Sequence, residues 1–234
     1  VWAYKGVDPF EKKYSNLRLV SGRITRSYWI IVALAEVPIN SLKDIKEKRY
    51  PLKLTYLQGT SSEPPLRELL KSYGVTYDDI KAWGGSIIFD TYDNVVTMMK
   101  DKVVDAFQNE LPLGQPRVVE ICNARDVKFI PLSEDEIKKL VETGAYERDV
   151  IPAKSFPKQD KDIPTVANDL AAFCRAELPN EVVYTITKAI CENRDKLVAA
   201  VSADKAWNPA TGFKNPAIPL HPGAELYYKE RGWT

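Results

Sequence analysis

The residues of this 234-residue chain that could meet a ligand are small, polar and set between apolar runs. Gly59, Thr60, Ser61 and Ser62 separate a run ending at Leu57 from a helical pattern that begins near Leu66. Free backbone N–H groups and hydroxyls at a helix start favour an anion such as a carboxylate. The same residues serve equally to cap a helix, with Ser61 or Ser62 at the N-cap and Pro64 and Pro65 in the first turn. Gln108, Asn109 and Glu110, followed by Leu111 and Pro112, come after a third apolar run, Val103 to Phe107. At the carboxyl end of a strand, where open α/β sheets bind ligands, they could orient a polar substrate; otherwise they form a solvated loop. Gly84-Gly85-Ser86 is a third loop of this kind, and Gly85 permits close backbone approach. The expected binding set is therefore Gly59, Thr60, Ser61, Ser62, Gly85, Gln108 and Glu110.

Other chemistry is poorly provided for. His221 is the single histidine, so neither a catalytic triad nor a histidine-based metal site can be assembled. It stands just before Pro222 and reads as part of a helix start with a satisfied imidazole. Cys122, Cys174 and Cys191 form no C-x-x-C pair, which argues against zinc or redox chemistry. Cys174 and Cys191 could pair in an oxidising compartment, but buried free thiols are the commoner outcome. Asp78, Asp79, Asp90 and Asp93 fall at turns and caps, where aspartate is expected. No nucleophile elbow, phosphate loop or dinucleotide fingerprint occurs. The sequence thus indicates no catalytic residue, no metal and no cofactor, and nothing calls for an enzyme.

Lys plus Arg number 33 against 32 Asp plus Glu, which removes the electrostatic case for a nucleic-acid partner. The longest apolar run, Tyr28 to Val37, is about ten residues, contains Glu36 and is followed by Pro38. A spanning helix needs roughly twenty, so the run reads as a buried strand and the chain as not membrane-spanning. The opening residues Val1 to Gly6 have no basic, apolar or cleavage region of a signal peptide, so export is left open.

These candidates need a frame to hold them. Strands are expected at Leu17–Ser21, Ser27–Val37, Leu52–Leu57, near Ile80–Trp83 or Ser86–Phe89, at Val103–Phe107, Val127–Ile130 and Val166–Ala176. Between them, Leu66, Leu69, Leu70 and Tyr73 mark a helix face stopped by Gly74. Val95, Val96 and Met99 mark another, capped by Asp93 or Asn94. Pro116 opens a helix with Val118, Val119 and Cys122 inward. Ser133 with Glu136 forms a capping box ahead of Ile137, Leu140 and Val141. A helix of roughly twenty residues from Asn180 aligns Val183, Ile186, Ile190, Leu197 and Val201, and a last one runs from Pro222 to Gly232. Four strand–helix units in about ninety residues indicate an α/β fold with a mostly parallel sheet and helices on both faces. The chain divides into residues 1–38, an inserted lobe at 39–150, and 151–234, with a proline-rich crossing at Asp149–Asp162. A cleft between two such lobes is a ligand site by geometry.

The C-terminal stretch from Ile218-Pro219-Leu220-His221-Pro222-Gly223-Ala224 to Lys229-Glu230-Arg231-Gly232-Trp233 resembles the ending of TAXI-family receptors of TRAP transporters. Val183 to Ile190 is similar to their long helix; Asn16-Leu17-Arg18, Ser41 to Ile45 and Val104-Asp105-Ala106 match further pieces in the same order. The resemblance covers nearly the whole chain. It implies a type II periplasmic-binding-protein-like fold of two lobes, the first incomplete because family members begin with further residues. It also implies a periplasmic solute-binding subunit that captures a small organic anion, a carboxylate or amino acid, for membrane permease subunits. The loop at Gly59 to Glu63 is shorter than the family's, and Glu63 opposes an anion. The alternative is the effector-binding domain of a cytoplasmic regulator of similar fold. That reading requires an upstream helix-turn-helix, and residues 1 to 40 contain none.

Overall fold

The computed structural model describes residues 1–7, 10–58, 60, 62–214 and 218–234. A short helix, α1 (Trp2–Lys5), and strand β1 (Leu17–Ser21) lead into β2 (Arg26–Leu34), which is buried from Trp29 to its end. A strand covered on both faces belongs in the middle of a sheet. Helix α2 (Leu42–Glu47) starts where Ser41 Oγ accepts the Asp44 N–H at 3.3 Å. It is followed by β3 (Lys53–Leu57), α3 (Glu63–Ser72), α4 (Tyr77–Ala82) and β4 (Ser86–Asp90). Next come α5 (Tyr92–Lys100), β5 (Ala106–Leu111), α6 (Pro116–Ala124), β6 (Val127–Phe129) and α7 (Glu134–Glu142). The chain continues through β7 (Glu147–Ile151), β8 (Ile163–Asp169), β9 (Ala172–Arg175), α8 (Asn180–Glu192), α9 (Arg194–Ala200) and α10 (Pro222–Glu230).

The α/β class holds, but the sheet is mixed rather than mostly parallel. Its strands lie in the order β4-β3-β5-β2-β8-β7, with β6 also paired to β2. β3 runs parallel to β4 and β5, whereas β2 is antiparallel to β5 and β6, and β7 to β8. Strand–helix alternation reports crossovers; it does not report the direction of the strand that precedes them.

Two compact units emerge. One contains Val1–Ser27, Thr143–Ala145 and Asn168–Thr234; the other contains Tyr28–Glu142 and Tyr146–Ala167. Where the sequence reading divides the chain at 38–39 and 150–151, these units exchange at 27–28 and 167–168, inside β2 and β8. In the second unit Ile31, Ala33, Ile45, Leu54, Leu66 and Ile130 surround about 20 Å³ of free space. That is room for one water, and an apolar lining offers it no partner. In the first unit Val20, Val183, Cys191, Ala224, Tyr227 and Tyr228 form the core, and Gly223 lies against the backbone of Asn180 too closely for any Cβ.

Several elements differ from the sequence reading. Thr76 and Asp79 form a capping box, so Ile80–Trp83 belongs to a helix and its end rather than a strand. Thr91, not Asp93 or Asn94, occupies the N-cap of α5. The expected strand at Val166–Ala176 is two strands, and part of the expected crossing at 149–162 is strand β7. The long helix breaks at Asn193 into α8 and α9. Ile186, Leu197, Val201 and Val141 are exposed, because a stripe at helical spacing says nothing about whether a neighbour covers it.

The Ser133–Glu136 capping box forms as expected, and it carries more than a cap. Glu136 is buried and accepts from Ser133 N at 2.6 Å and from the Tyr73 hydroxyl at 2.9 Å. Glu136→Ala is expected to lower stability by about 2–3 kcal/mol in urea unfolding, since it strands two donors; Glu136→Gln, which keeps an acceptor, should cost less than half of that.

Candidate functional site

The parallel strands β4, β3 and β5 end side by side, with Leu57 opposite Asp90 and Tyr56 opposite Gln108. Loops leaving this edge are where a ligand would be met. Gly59 and Ser61 lie outside the described residues. Thr60 is exposed; its Oγ1 donates to Leu57 O at 3.0 Å and sits 2.9 Å from Ser62 Oγ. Ser62 is buried at the N-cap of α3, yet its side chain makes no capping bond to the helix. The two sequence readings of this turn are thus both altered. Glu63, Pro64 and Pro65 are the first three helical residues, and proline has no N–H. One first-turn donor remains where an anion site would use three. Glu63 itself is paired with Arg67 at 3.2 Å.

Gln108 lies inside β5, not in a loop after it. The strand runs four residues further than the apolar pattern suggests, while Val103, its expected start, is 52% exposed. Gln108 is fully buried. With its amide oriented by the hydrogen-bond network, the oxygen accepts from Trp29 Nε1 at 2.9 Å and the nitrogen donates to Ser62 O at 3.0 Å. It acts on the loop from beneath, by fixing the backbone at which α3 begins.

Glu110, two residues along and so on the same strand face, is half-buried and accepts from the Tyr146 hydroxyl. Burial, followed by the charge of Glu110, pushes the Tyr146 phenol well above its usual range. Asn109, on the other face, is buried and accepts the Glu110 N–H at 2.8 Å. Burial raises the Tyr92 phenol to about 12, against a hydrogen bond with Asn109 that lowers it. Asp90 closes β4 by accepting from Asn94 Nδ2 and Thr91 N, each at 2.7 Å. Those bonds, that of Asn94 first, hold its carboxyl below the usual range. Asn109 was expected beside Gln108 and Glu110 and Asp90 at a turn or cap, whereas Tyr92 was not singled out; its signal is its place just after the end of β4, at the start of α5.

Gly85 is not brought to this edge. It precedes β4, against Leu52 and Pro51, at the end where β3 enters. Five residues of β3 separate it from the loop at Thr60, a distance of roughly 16 Å at 3.3 Å per residue. Its lack of a side chain is explained by packing: a Cβ would stand 2.5 Å from Leu52 O and 2.7 Å from the Pro51 carbonyl carbon.

His221 caps α10 by accepting from Gly223 N at Nδ1, 3.0 Å away. The imidazole is only half satisfied, because buried Nε2 has no partner among the described residues. All three cysteines are free, with Cys122 and Cys191 buried; burial raises both thiols to about 11. Among the described residues no three His, Cys, Asp or Glu converge as a metal site, and no helix is long and apolar enough to cross a membrane. The edge offers hydroxyls, amides and carboxylates that can hold a polar molecule.

A family description, the NMT1-like family, matches residues 1–232. The chain belongs to the NMT1-like family. Among solved structures, this NMT1-like chain is similar to the periplasmic aliphatic sulphonate binding protein SsuA from Escherichia coli, at 14% identity. That match covers 92% of this chain and 56% of the other, with a TM-score of 0.41. An ABC-transporter periplasmic binding protein from Brucella ovis with glutathione bound matches at 10% identity, over 86% and 49%, with a TM-score of 0.40. A protein from Xanthomonas citri bound to ATP matches at 14% identity, over 93% and 68%, with a TM-score of 0.44. The NMT1-like chain therefore spans about half the length of the first two.

Replacing Gln108 by Leu would strand the Trp29 indole N–H and the Ser62 carbonyl, and should cost about 2–4 kcal/mol in chemical unfolding. Gly85→Ala is expected to cost about 1–3 kcal/mol by overpacking. Gly114→Ala, at a φ of 69° with open space around it, should cost about 1 kcal/mol or less.

Proposed function

We propose that this chain is the ligand-holding part of an extracytoplasmic solute-binding protein, which captures a small organic molecule and delivers it to membrane permease subunits. The observation that carries the reading is the Thr60–Ser62–Gln108 chain of hydrogen bonds at the carboxyl edge of the parallel strands. It presents one exposed hydroxyl on a loop fixed from below by a buried amide, which suits binding and offers no nucleophile with a base. NMT1-like membership supports the reading. The resemblance of the C-terminal stretch to TAXI receptors favours the TRAP type of uptake and a periplasmic location.

The proposed ligand is an amino acid or a related carboxylate, met by Gly59, Thr60, Ser61 and Ser62, with Gln108 acting through Ser62 and Glu110 further along β5. Electrostatics favours the zwitterion. Glu63 is balanced by Arg67, while Asp90, whose carboxyl accepts from Asn94 Nδ2 and Thr91 N, would attract an ammonium and oppose a lone carboxylate. The proline-filled first turn of α3 points the same way, since it withholds the N–H groups a simple anion would need.

Native mass spectrometry of the protein, followed by thermal-shift assays with amino acids and with simple dicarboxylates, tests this reading. Amino acids are expected to raise the melting temperature more than dicarboxylates of equal size. Thr60→Val should weaken the best ligand at least about tenfold, or 1.4 kcal/mol. Absence of any co-purified small molecule, together with no shift from either class, would overturn the proposal.

A further inference from the structure

At the opposite end of the parallel strands is a polar pocket of about 210 Å³, lined by Glu36, Lys102, Ala124, Arg125, Asp126 and Lys158. Its residues come from four separate places: the turn after β2, the turn after α5, the end of α6, and the loop between β7 and β8. Lys102 stands four residues before β5 begins, so the six-residue strand sets this pocket roughly 20 Å from the carboxyl edge. It is a separate place from the site proposed above.

Backbone conformation singles the pocket out. Among the described residues, every non-glycine residue with positive φ is basic: Arg23, Arg49, Lys102, Lys154 and Lys158. Two of them, Lys102 at 56° and Lys158 at 64°, line this one pocket. A side chain in the left-handed region is strained, and glycine would relieve the strain. Something must therefore favour the lysine side chains. Lys102 follows α5 closely enough for the helix dipole to favour a cation, and Lys158 Nζ donates at 3.2 Å to the carbonyl of Arg125, the C-cap of α6. Their ion pairs, Lys102 to Glu36 at 2.5 Å and Lys158 to Asp126 at 2.8 Å, are with carboxylates 53% and 83% exposed. Exposed pairs return little, and less than the strain costs. The pairs alone do not offset the strain, and both lysines also serve helix C-termini, Lys102 after α5 and Lys158 at the end of α6.

Arg125 supplies a third observation. Its Nε donates to Lys100 O at 2.5 Å, which orients the half-buried guanidinium. Nη1 and Nη2 make no hydrogen bond or ion pair with the described residues. An oriented guanidinium with its terminal nitrogens free is a fork for two oxygens of one anion. Three cations against two carboxylates leave the lining at one net positive charge.

We propose that this pocket binds an oxyanion of the phosphate or sulfate kind, held bidentately by Arg125 and flanked by Lys102 and Lys158, with Glu36 and Asp126 as the carboxylates it displaces. The anion would be either free or the charged end of a larger solute.

Isothermal titration of the whole chain with inorganic phosphate, at low and at high salt, tests the proposal; a phosphomonoester in parallel separates the two sources of the anion. Saturable phosphate binding that weakens with salt is expected. Arg125→Gln should weaken it at least tenfold, and Glu36→Gln or Asp126→Asn should tighten it about threefold by removing a competitor. Lys102→Gly and Lys158→Gly should weaken it while leaving the melting temperature unchanged or higher, an outcome that a purely structural lysine would not give. Thr60→Val should leave phosphate binding unchanged, so failure here is distinguishable from failure of the solute-binding reading. No saturable binding by the parent chain or by the Glu36→Gln, Asp126→Asn double variant would overturn the proposal. So would lysine-to-glycine variants that lose stability but keep their phosphate affinity.

Discussion

A buried primary amide must find partners for both its ends, because in a low-dielectric interior an unpaired polar group costs more than a pairing gains. Gln108 meets that requirement by joining three elements that are distant in sequence. It sits in β5, accepts a hydrogen bond from the Trp29 indole N–H of β2, and donates one to the Ser62 carbonyl at the start of α3. Trp29 and Ile31 of β2 lie opposite Glu110 and Gln108 in the antiparallel ladder, so a register slip of one residue would turn Gln108 away from the indole. One side chain therefore ties the β2–β5 register to the start of α3 and the Thr60 loop. The loop is polar and short, yet it rests on a fixed base.

That constraint also changes what the loop can do. Serine and threonine before a helix ordinarily satisfy its orphan N–H groups. Here Pro64 and Pro65 occupy positions where those groups would be, which frees the Ser62 hydroxyl to join Thr60 and leaves the helix start without a cradle for an anion.

Much of the frame was legible in the sequence because its signals are local. The helix at Leu66–Tyr73, the Ser133–Glu136 capping box and the strand at Leu52–Leu57 each rest on a few neighbouring residues whose side chains dictate the outcome. What escaped depends on partners far along the chain. Gln108 and Glu110 look like loop residues, since polar side chains in a row argue against a strand until Trp29 and Tyr146 are placed beside them. Gly85 looked like a ligand contact because glycine marks any close approach; here the approach is that of Pro51 and Leu52 within the fold. The exposed stripe of Ile186 and Leu197 shows the converse, a periodic pattern with no neighbour to bury it among the residues of its unit.

The two ends of the parallel ladder carry opposite chemistry, and the same strands separate them. Residues leaving the strands bring hydroxyls and carboxylates; residues entering them bring lysine, arginine and strained turns. A fold fixes where loops emerge, but ligand choice comes from side chains that the fold leaves free to vary. In this chain the vacant donors belong to Arg125 and the fixed hydroxyl to Thr60, roughly a strand length apart. A solute carrying both an ammonium and an oxyanion could not reach both at once unless it were extended over about 20 Å. The two proposals together therefore call for two small ligands, each read by its own edge.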